Sequence, residues 1–204
     1  MQTKEIQKVL VANRGEIAIR IFRACHDLGI HTVAIYSNED TYSLFRTKAD
    51  EAYLVGEKKS PLGAYLDIPG IIGLAKRRGV TAIHPGYGFL SENADFADAV
   101  EAAGMIFIGP KGDAIRLLGD KVAAREVAAR AGVPTVPGSA GRLATIEEAR
   151  AVAAKTGFPI MIKAAAGGGG RGIRIAADLA DLERHFPQAS AEALRRVGEA
   201  VGPD

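Results

Sequence analysis

The sequence predicts an α/β protein, with a doubly wound parallel sheet over its first half and a smaller, partial α/β unit after it. Three observations carry this reading. Short apolar runs alternate with stretches of helical period from Lys8 to Ile108, and strands separated by helices argue for a parallel sheet covered on both faces. Pro, Gly and Ser crowd Pro134 to Gly141, which marks a boundary between units. Beyond it the pattern offers one hairpin and two helices, which over about seventy residues can bury only a thin core.

Taken in order, Lys8–Ala12 predicts a buried strand with Asn13-Arg14-Gly15 as its turn. A helix follows over about Glu16–Leu28, with Ile17, Ile21, Ala24 and Leu28 on one face and Glu16, Arg20, Arg23 and Asp27 on another. Gly29 stands where a helix C-terminus takes a left-handed residue. Strands are expected at His31–Tyr36, Ala52–Val55, Ala82–His84 and Met105–Ile108, with helices around Ile68–Arg78 and Asn93–Ala103. Asp113–Ala131 is helical and Ala-rich, broken near Gly119. The second unit reads as a helix over Ile146–Thr156, strands at Pro159–Lys163 and Gly172–Ala176, and a helix over Leu179–Val197. The tail from Gly198 to Asp204 adds no further strand, so the second unit reads as truncated.

Composition narrows the function classes. The chain has 204 residues, 48% hydrophobic and 25% charged, as in soluble globular proteins. A net charge of +2 without a Lys/Arg cluster points away from nucleic acid and anionic membranes as main partners. Cys25 is the only cysteine, which rules out an intrachain disulfide and suits a reducing compartment, with the cytoplasm as the expectation. Its place on the apolar side of a helix suggests a buried structural thiol. Met1 to Glu5 leads directly into a strand without a signal-peptide core, and no apolar run is long enough to span a membrane.

The most informative stretch is Ile160-Met161-Ile162-Lys163, then Ala164-Ala165-Ala166, then Gly167-Gly168-Gly169-Gly170 and Arg171 to Ile175. Four successive glycines cost conformational entropy, so they suit a loop that must approach an anion closely or swing as a lid. The loop joins two strands and contains no Gly-Lys-Ser/Thr, so it is not a Walker A loop; it binds phosphate or is a plain mobile hairpin. Alternation puts Lys163 beside Met161 and opposite Ile160 and Ile162. There it either neutralises phosphate oxygens or snorkels to solvent. Lys121 stands near a helix N-terminus, which the helix dipole does not favour, and is either a phosphate contact or a surface lysine. Arg171 and Arg174 divide between anion contact and solvated surface in the same way.

No G-x-G-x-x-G follows the first strand, so a dinucleotide site there is poorly supported. His84-Pro85-Gly86-Tyr87-Gly88 follows the C-terminal end of a strand, where ligands of open α/β sheets sit; its exposed His and Tyr form a ligand wall or a purely structural turn. No catalytic triad, zinc spacing or metal carboxylate pair is legible, and Glu92 and Glu183 read as isolated surface residues.

Taken together, an ordered set of segments resembles the biotin carboxylase family of ATP-grasp enzymes. These are Val11-Ala12-Asn13-Arg14-Gly15-Glu16-Ile17-Ala18, His84 to Asn93, Phe107-Ile108-Gly109-Pro110, Gly119-Asp120-Lys121, and Lys163 with its glycine loop. Within the family, Ala34 to Ser37 and Lys48 to Gly56 look most like the pyruvate carboxylase branch, with the acyl-CoA carboxylases as the alternative. The resemblance implies a pre-ATP-grasp domain over residues 1–112, a helical connector over 113–135 and a truncated ATP-grasp lid subdomain over 136–204. Lys121 and Lys163 match the two lysines that contact ATP phosphates in such enzymes, and Gly167, Gly168, Gly169 and Gly170 match the lid loop. His84, Gly86 and Tyr87 match a segment near biotin. Arg20, Arg23 and Asp27 match helix positions at a two-fold dimer contact, although a solvated helix face explains them equally. Ala165 and Ala166 depart from the Ser, Thr, Gly or Trp common there, and Ile173 replaces a common Met.

What the resemblance implies chemically is MgATP-driven activation of bicarbonate as carboxyphosphate, followed by carboxylation of biotin on a carrier domain. Phosphoryl transfer mainly needs charge neutralisation and positioning, which two lysines and a closing loop supply. The Mg²⁺-binding glutamates and the catalytic Glu and Arg are expected beyond Asp204, so the piece alone is expected to be inactive. A non-catalytic nucleotide-binding or dimerisation module is the other class of reading.

Overall fold

Alternation along the first strand divides its side chains between two cores. In the computed structural model, which describes residues 5–119, 121–139, 141, 143–163 and 173–200, β1 (Lys8–Val11) sends Leu10 into one buried cluster and Val9 and Val11 into another. The strands β2 (His31–Tyr36), β3 (Glu51–Leu54), β4 (Ala82–His84) and β5 (Ile106–Phe107) join it in the order β3-β2-β1-β4-β5. Every pairing is parallel. The helices are α1 (Gly15–Asp27), α2 (Pro61–Tyr65), α3 (Ile68–Arg77) and α4 (Ala94–Ala102). Ile71, Leu74 and Ala75 of α3 and Phe96, Ala97 and Val100 of α4 cover Leu10, Val33, Ile35 and Ile83. On the opposite face α1 and Phe45 cover Val9, Val11, Ala34 and Ala82. The sheet is doubly wound, as the strand–helix alternation predicts.

The buried stripe of α1 differs from the expected one. Ala18, Ile21, Phe22 and Cys25 are buried, while Ala24 is exposed and Leu28 is 75% exposed. Burying the ring of Phe22, the largest apolar side chain of the helix, turns the inner face by about one residue from the Ile17/Ala24 stripe. Cys25 belongs to the buried face, and burial pushes its thiol up from the ordinary range.

Three short elements carry too little periodicity to be read in advance. They are the 3₁₀ turns Asn38–Asp40 and Leu44–Lys48, and α2, which Ser60 caps by accepting from Gly63 N at 3.1 Å. The Ala-rich stretch forms α5 (Gly112–Gly119) and α6 (Lys121–Arg130).

By contact the chain divides into two compact units, Met1–Ala124 and Arg125–Asp204. In the second, α7 (Ile146–Thr156) begins with a reciprocal cap between Thr145 and Glu148. The antiparallel pair β6 (Ile160–Lys163) and β7 (Ile173–Ala176) packs one face on α7 and on α8 (Leu179–Ala200). Ala149, Ala153, Ala176 and Leu182 form that core with Ile160, Ile162 and Phe186 around them. Glu183, read as isolated, accepts from Arg150 at 2.6 Å and ties α8 to α7 across exposed surface.

Candidate functional site

Strand order places the first site. The chain runs from β1 outward to β2 and β3, then returns to β4 on the other side of β1, so winding reverses between β1 and β4. Ligands of open α/β sheets bind outside the strand C-termini at such a reversal. Val11 and His84 are register partners there, and Ala12 N donates to His84 O at 2.9 Å. The two motifs that follow, Asn13 to Glu16 and His84 to Gly88, are therefore neighbours although some seventy residues apart in sequence.

Side chains then lock the two segments together. Asn13 is 3% exposed; its carboxamide nitrogen donates to Pro85 O at 2.7 Å and Tyr87 O at 2.8 Å. Its oxygen accepts from Arg14 N at 2.9 Å. Gly86 N donates to His84 Nδ1 at 3.0 Å, which leaves the imidazole proton on Nε2. His84 is half-buried and not exposed as expected, because the turn folds back over its ring; burial holds the imidazole below its usual range and so neutral. Tyr87 does present its ring to solvent, at 59% exposure, while its hydroxyl donates to the carboxylate of Glu16 in the first turn of α1. That bond raises the Tyr87 phenol above its ordinary value.

The rest of the motif is structural. Phe89 stacks on Tyr65 at 5.2 Å, Leu90 is buried, and Asn93 caps α4 by accepting from Phe96 N at 2.8 Å. Only the first four residues of the motif, His84 to Tyr87, combine with Asn13 and Glu16.

Behind Asn13, Arg14 donates from Nε to Asp40 at 2.6 Å and from its terminal nitrogen to the other carboxylate oxygen. Asp40 is 3% exposed and also accepts from Tyr65 Oη at 2.6 Å and Ser43 Oγ at 2.7 Å. The Arg14 guanidinium holds the Asp40 carboxyl down at about 2 despite its burial, and burial pushes the Tyr65 phenol up. Sequence reasoning missed Asp40 and Tyr65, because both sit in the short elements it did not resolve.

The second unit carries the other predicted residues. Lys163 is exposed at the end of β6, on the same face as Met161, with Ile160 and Ile162 turned to the core. Lys163 pairs in register with Ile173, and Met161 with Ile175. Met161, Ile173 and Ile175 are 55%, 41% and 63% exposed, so the outer face of the hairpin is an apolar surface with a lysine at one end. Sequence reading named Lys163 but not this surface. Arg174 lies on the opposite face and so does not join Lys163. Gly167, Gly168, Gly169, Gly170 and Arg171 lie outside the described residues. Lys121 is the first residue of α6, and its side chain lies outside them too.

Arg20, Arg23 and Asp27 are exposed on the outer face of α1. Among the described residues no group of three or more His, Cys, Asp or Glu is placed to hold a metal ion, and no helix is long and apolar enough to cross a membrane.

Residues 5–115 match the family described as biotin carboxylase, N-terminal domain, and residues 120–201 match the carbamoyl-phosphate synthase L chain, ATP binding domain. The chain is 57% identical over 198 residues to pyruvate carboxylase of Bacillus subtilis, and 54% identical over 201 residues to the mitochondrial pyruvate carboxylase of Homo sapiens. These alignments cover 97% and 98% of the chain but only 17% of either relative. Among solved structures, the biotin carboxylase domain dimer of Hydrogenobacter thermophilus 2-oxoglutarate carboxylase, in complex with MgADP, ADP and bicarbonate, matches with a TM-score of 0.84 at 51% identity. That match covers 95% of this chain and 42% of the other.

Proposed function

The chain belongs to the biotin carboxylase N-terminal domain family, and on that footing we propose that it serves ATP- and bicarbonate-dependent carboxylation of biotin within a pyruvate carboxylase. The observation that carries the reading is the convergence of Asn13, Glu16, His84, Gly86 and Tyr87 at the β1/β4 reversal. An exposed aromatic ring and a neutral, half-buried imidazole carried on one turn suit a flat, uncharged group such as the ureido ring of biotin. The reading divides the chain into an N-terminal domain over 1–112, a connector over 113–135 and an ATP-grasp lid subdomain over 136–204.

The outer face of the hairpin fits a nucleotide. Met161, Ile173 and Ile175 offer an apolar bed, and Lys163 stands at one end to meet phosphate. In this reading Lys121 and Lys163 neutralise the phosphates of ATP and Gly167 to Gly170 close over them. No group of three or more His, Cys, Asp or Glu among the described residues could hold Mg²⁺, so in this reading its ligands come from outside them. A biotin carrier domain delivers the acceptor, a second copy docks through Arg20, Arg23 and Asp27 of α1, and a reducing compartment such as the cytoplasm suits the lone thiol of Cys25.

The test is a chimera in which this chain replaces the matching residues of the Bacillus subtilis pyruvate carboxylase. We expect the chimera to retain bicarbonate-dependent ATP hydrolysis, and Lys163→Ala and Lys121→Ala each to raise the KM for ATP about tenfold or more, as loss of a charge-assisted phosphate contact should. Unchanged kinetics in both variants would remove the lysines from the phosphate site.

A further inference from the structure

The family reading assigns His84, Gly86 and Tyr87 to the biotin side of the site, but it gives no task to Asn13 or Glu16. Both lie in the other motif, and both direct side-chain hydrogen bonds at the turn. The two N–H groups of Asn13 are directed at two carbonyls of one turn, Pro85 O and Tyr87 O. The orientation of the amide follows from its partners: carbonyls can only accept, and the Arg14 N–H opposite can only donate. The turn also rests directly on the carboxamide, since a Cβ at Gly86 would stand 2.7 Å from Asn13 Nδ2. Glu16 acts at the other end of the same turn. Tyr87 is exposed and would otherwise sample several rotamers, but its hydroxyl is bonded to a carboxylate fixed on the first turn of a helix.

We propose that Asn13 and Glu16 are positioning residues for biotin, Asn13 setting the main chain of the His84–Gly88 turn and Glu16 setting the ring of Tyr87. Neither need touch biotin. Asn13 determines where the peptide of Gly86 lies, and through the Gly86 N–H bond it also determines the tautomer and tilt of His84. Glu16 fixes the direction of the only solvent-facing ring of the described turn. The first motif is thus the foundation of the second, which explains a strand–turn–helix start with no glycine fingerprint for phosphate.

This inference rests on the reading of the turn as the biotin wall, and the experiment separates the two. In the chimera, bicarbonate-dependent ATP hydrolysis is followed with free biotin as the acceptor, and KM is measured for biotin and for ATP. Glu16→Ala is expected to raise the KM for biotin about five- to tenfold with the KM for ATP unchanged, the scale of one lost orienting hydrogen bond. Glu16→Gln keeps an acceptor for the Tyr87 hydroxyl and is expected to restore most of the loss. Asn13→Asp sets an oxygen against two carbonyl oxygens and is expected to raise the KM for biotin further; should it fail to fold, the Glu16 pair decides the matter. Tyr87→Ala is the control for the reading itself. If Tyr87→Ala leaves the KM for biotin unchanged, the turn is not the biotin wall and the inference falls with it. If Tyr87→Ala raises it and neither Glu16→Ala nor Asn13→Asp does, the reading stands and the positioning role is wrong. An equal rise in both KM values would also overturn it, because a general structural defect does not choose between substrates.

Discussion

Gly86 and Gly88 belong to one turn and both have positive φ, +68° and +64°, yet they are constrained differently. Around Gly88 an added Cβ would meet nothing within 4 Å. At Gly86 it would meet the buried carboxamide of Asn13, with Nδ2 at 2.7 Å and Cγ at 3.0 Å. Gly88→Ala should therefore cost only the left-handed backbone, roughly 1 kcal/mol. Gly86→Ala must also push Asn13 off two carbonyls and should cost about 2–4 kcal/mol. Urea unfolding of the two variants, followed by circular dichroism, measures the difference. Equal losses would mean that the turn moves freely over Asn13. Sequence alone could not rank these glycines, because what separates them is a side chain some seventy positions away. It could place Lys163, since alternation along a short strand fixes which neighbours share its face.

At the scale of elements, the readable pieces were those long enough to show a period. The apolar runs of β1 and β2 and the helical repeats of α3, α4 and α7 lie close to their expected bounds. The Arg14–Asp40–Tyr65 network was not legible, because its members come from a loop, a three-residue 3₁₀ turn and a five-residue helix. No hydrophobic period can form over so few residues. This network braces the segment that carries Asn13, and its electrostatics give it a pH signature. Asp40 is held at about 2 in the fold, against an ordinary 3.8. A depressed carboxyl contributes stability that is fully present above its unfolded value and is lost as pH falls through the folded one. Asp40→Asn should therefore destabilise the chain by about 2 kcal/mol at neutral pH. The gap between variant and parent should shrink as pH falls from about 4 towards 2. Denaturant midpoints of both chains across that range check this. A gap that persists undiminished at pH 2 would show that the loss comes from packing and not from the Asp40 charge.

Across the whole molecule, the two units rest on unequal cores. The first buries Phe22, Phe45, Phe96, Tyr65 and a full set of branched side chains on both faces of a five-stranded sheet. Among the described residues the buried cluster of the second is Ala149, Ala153, Ala176 and Leu182, three alanines and one large residue, with Ile160, Ile162 and Phe186 only partly buried around it, against a single face of a two-stranded sheet. Burial of apolar area sets most of the favourable free energy of folding, so the second unit should open at much lower cost than the first. Amide hydrogens of α7, β6 and β7 are accordingly expected to exchange well before those of β1, β2 and β4. Leu182→Ala sharpens the expectation. Leu182 is 1% exposed, and its truncation should cost about 2–5 kcal/mol, enough to remove most of the stability of so thin a core. Hydrogen exchange read by mass spectrometry should then show protection lost throughout the hairpin and α7, while the parallel sheet keeps its own. Protection lost equally in both units would show that they fold as one cooperative body. Such an outcome would also undo the picture of a hairpin whose stability is set separately from that of the turn at the β1/β4 reversal.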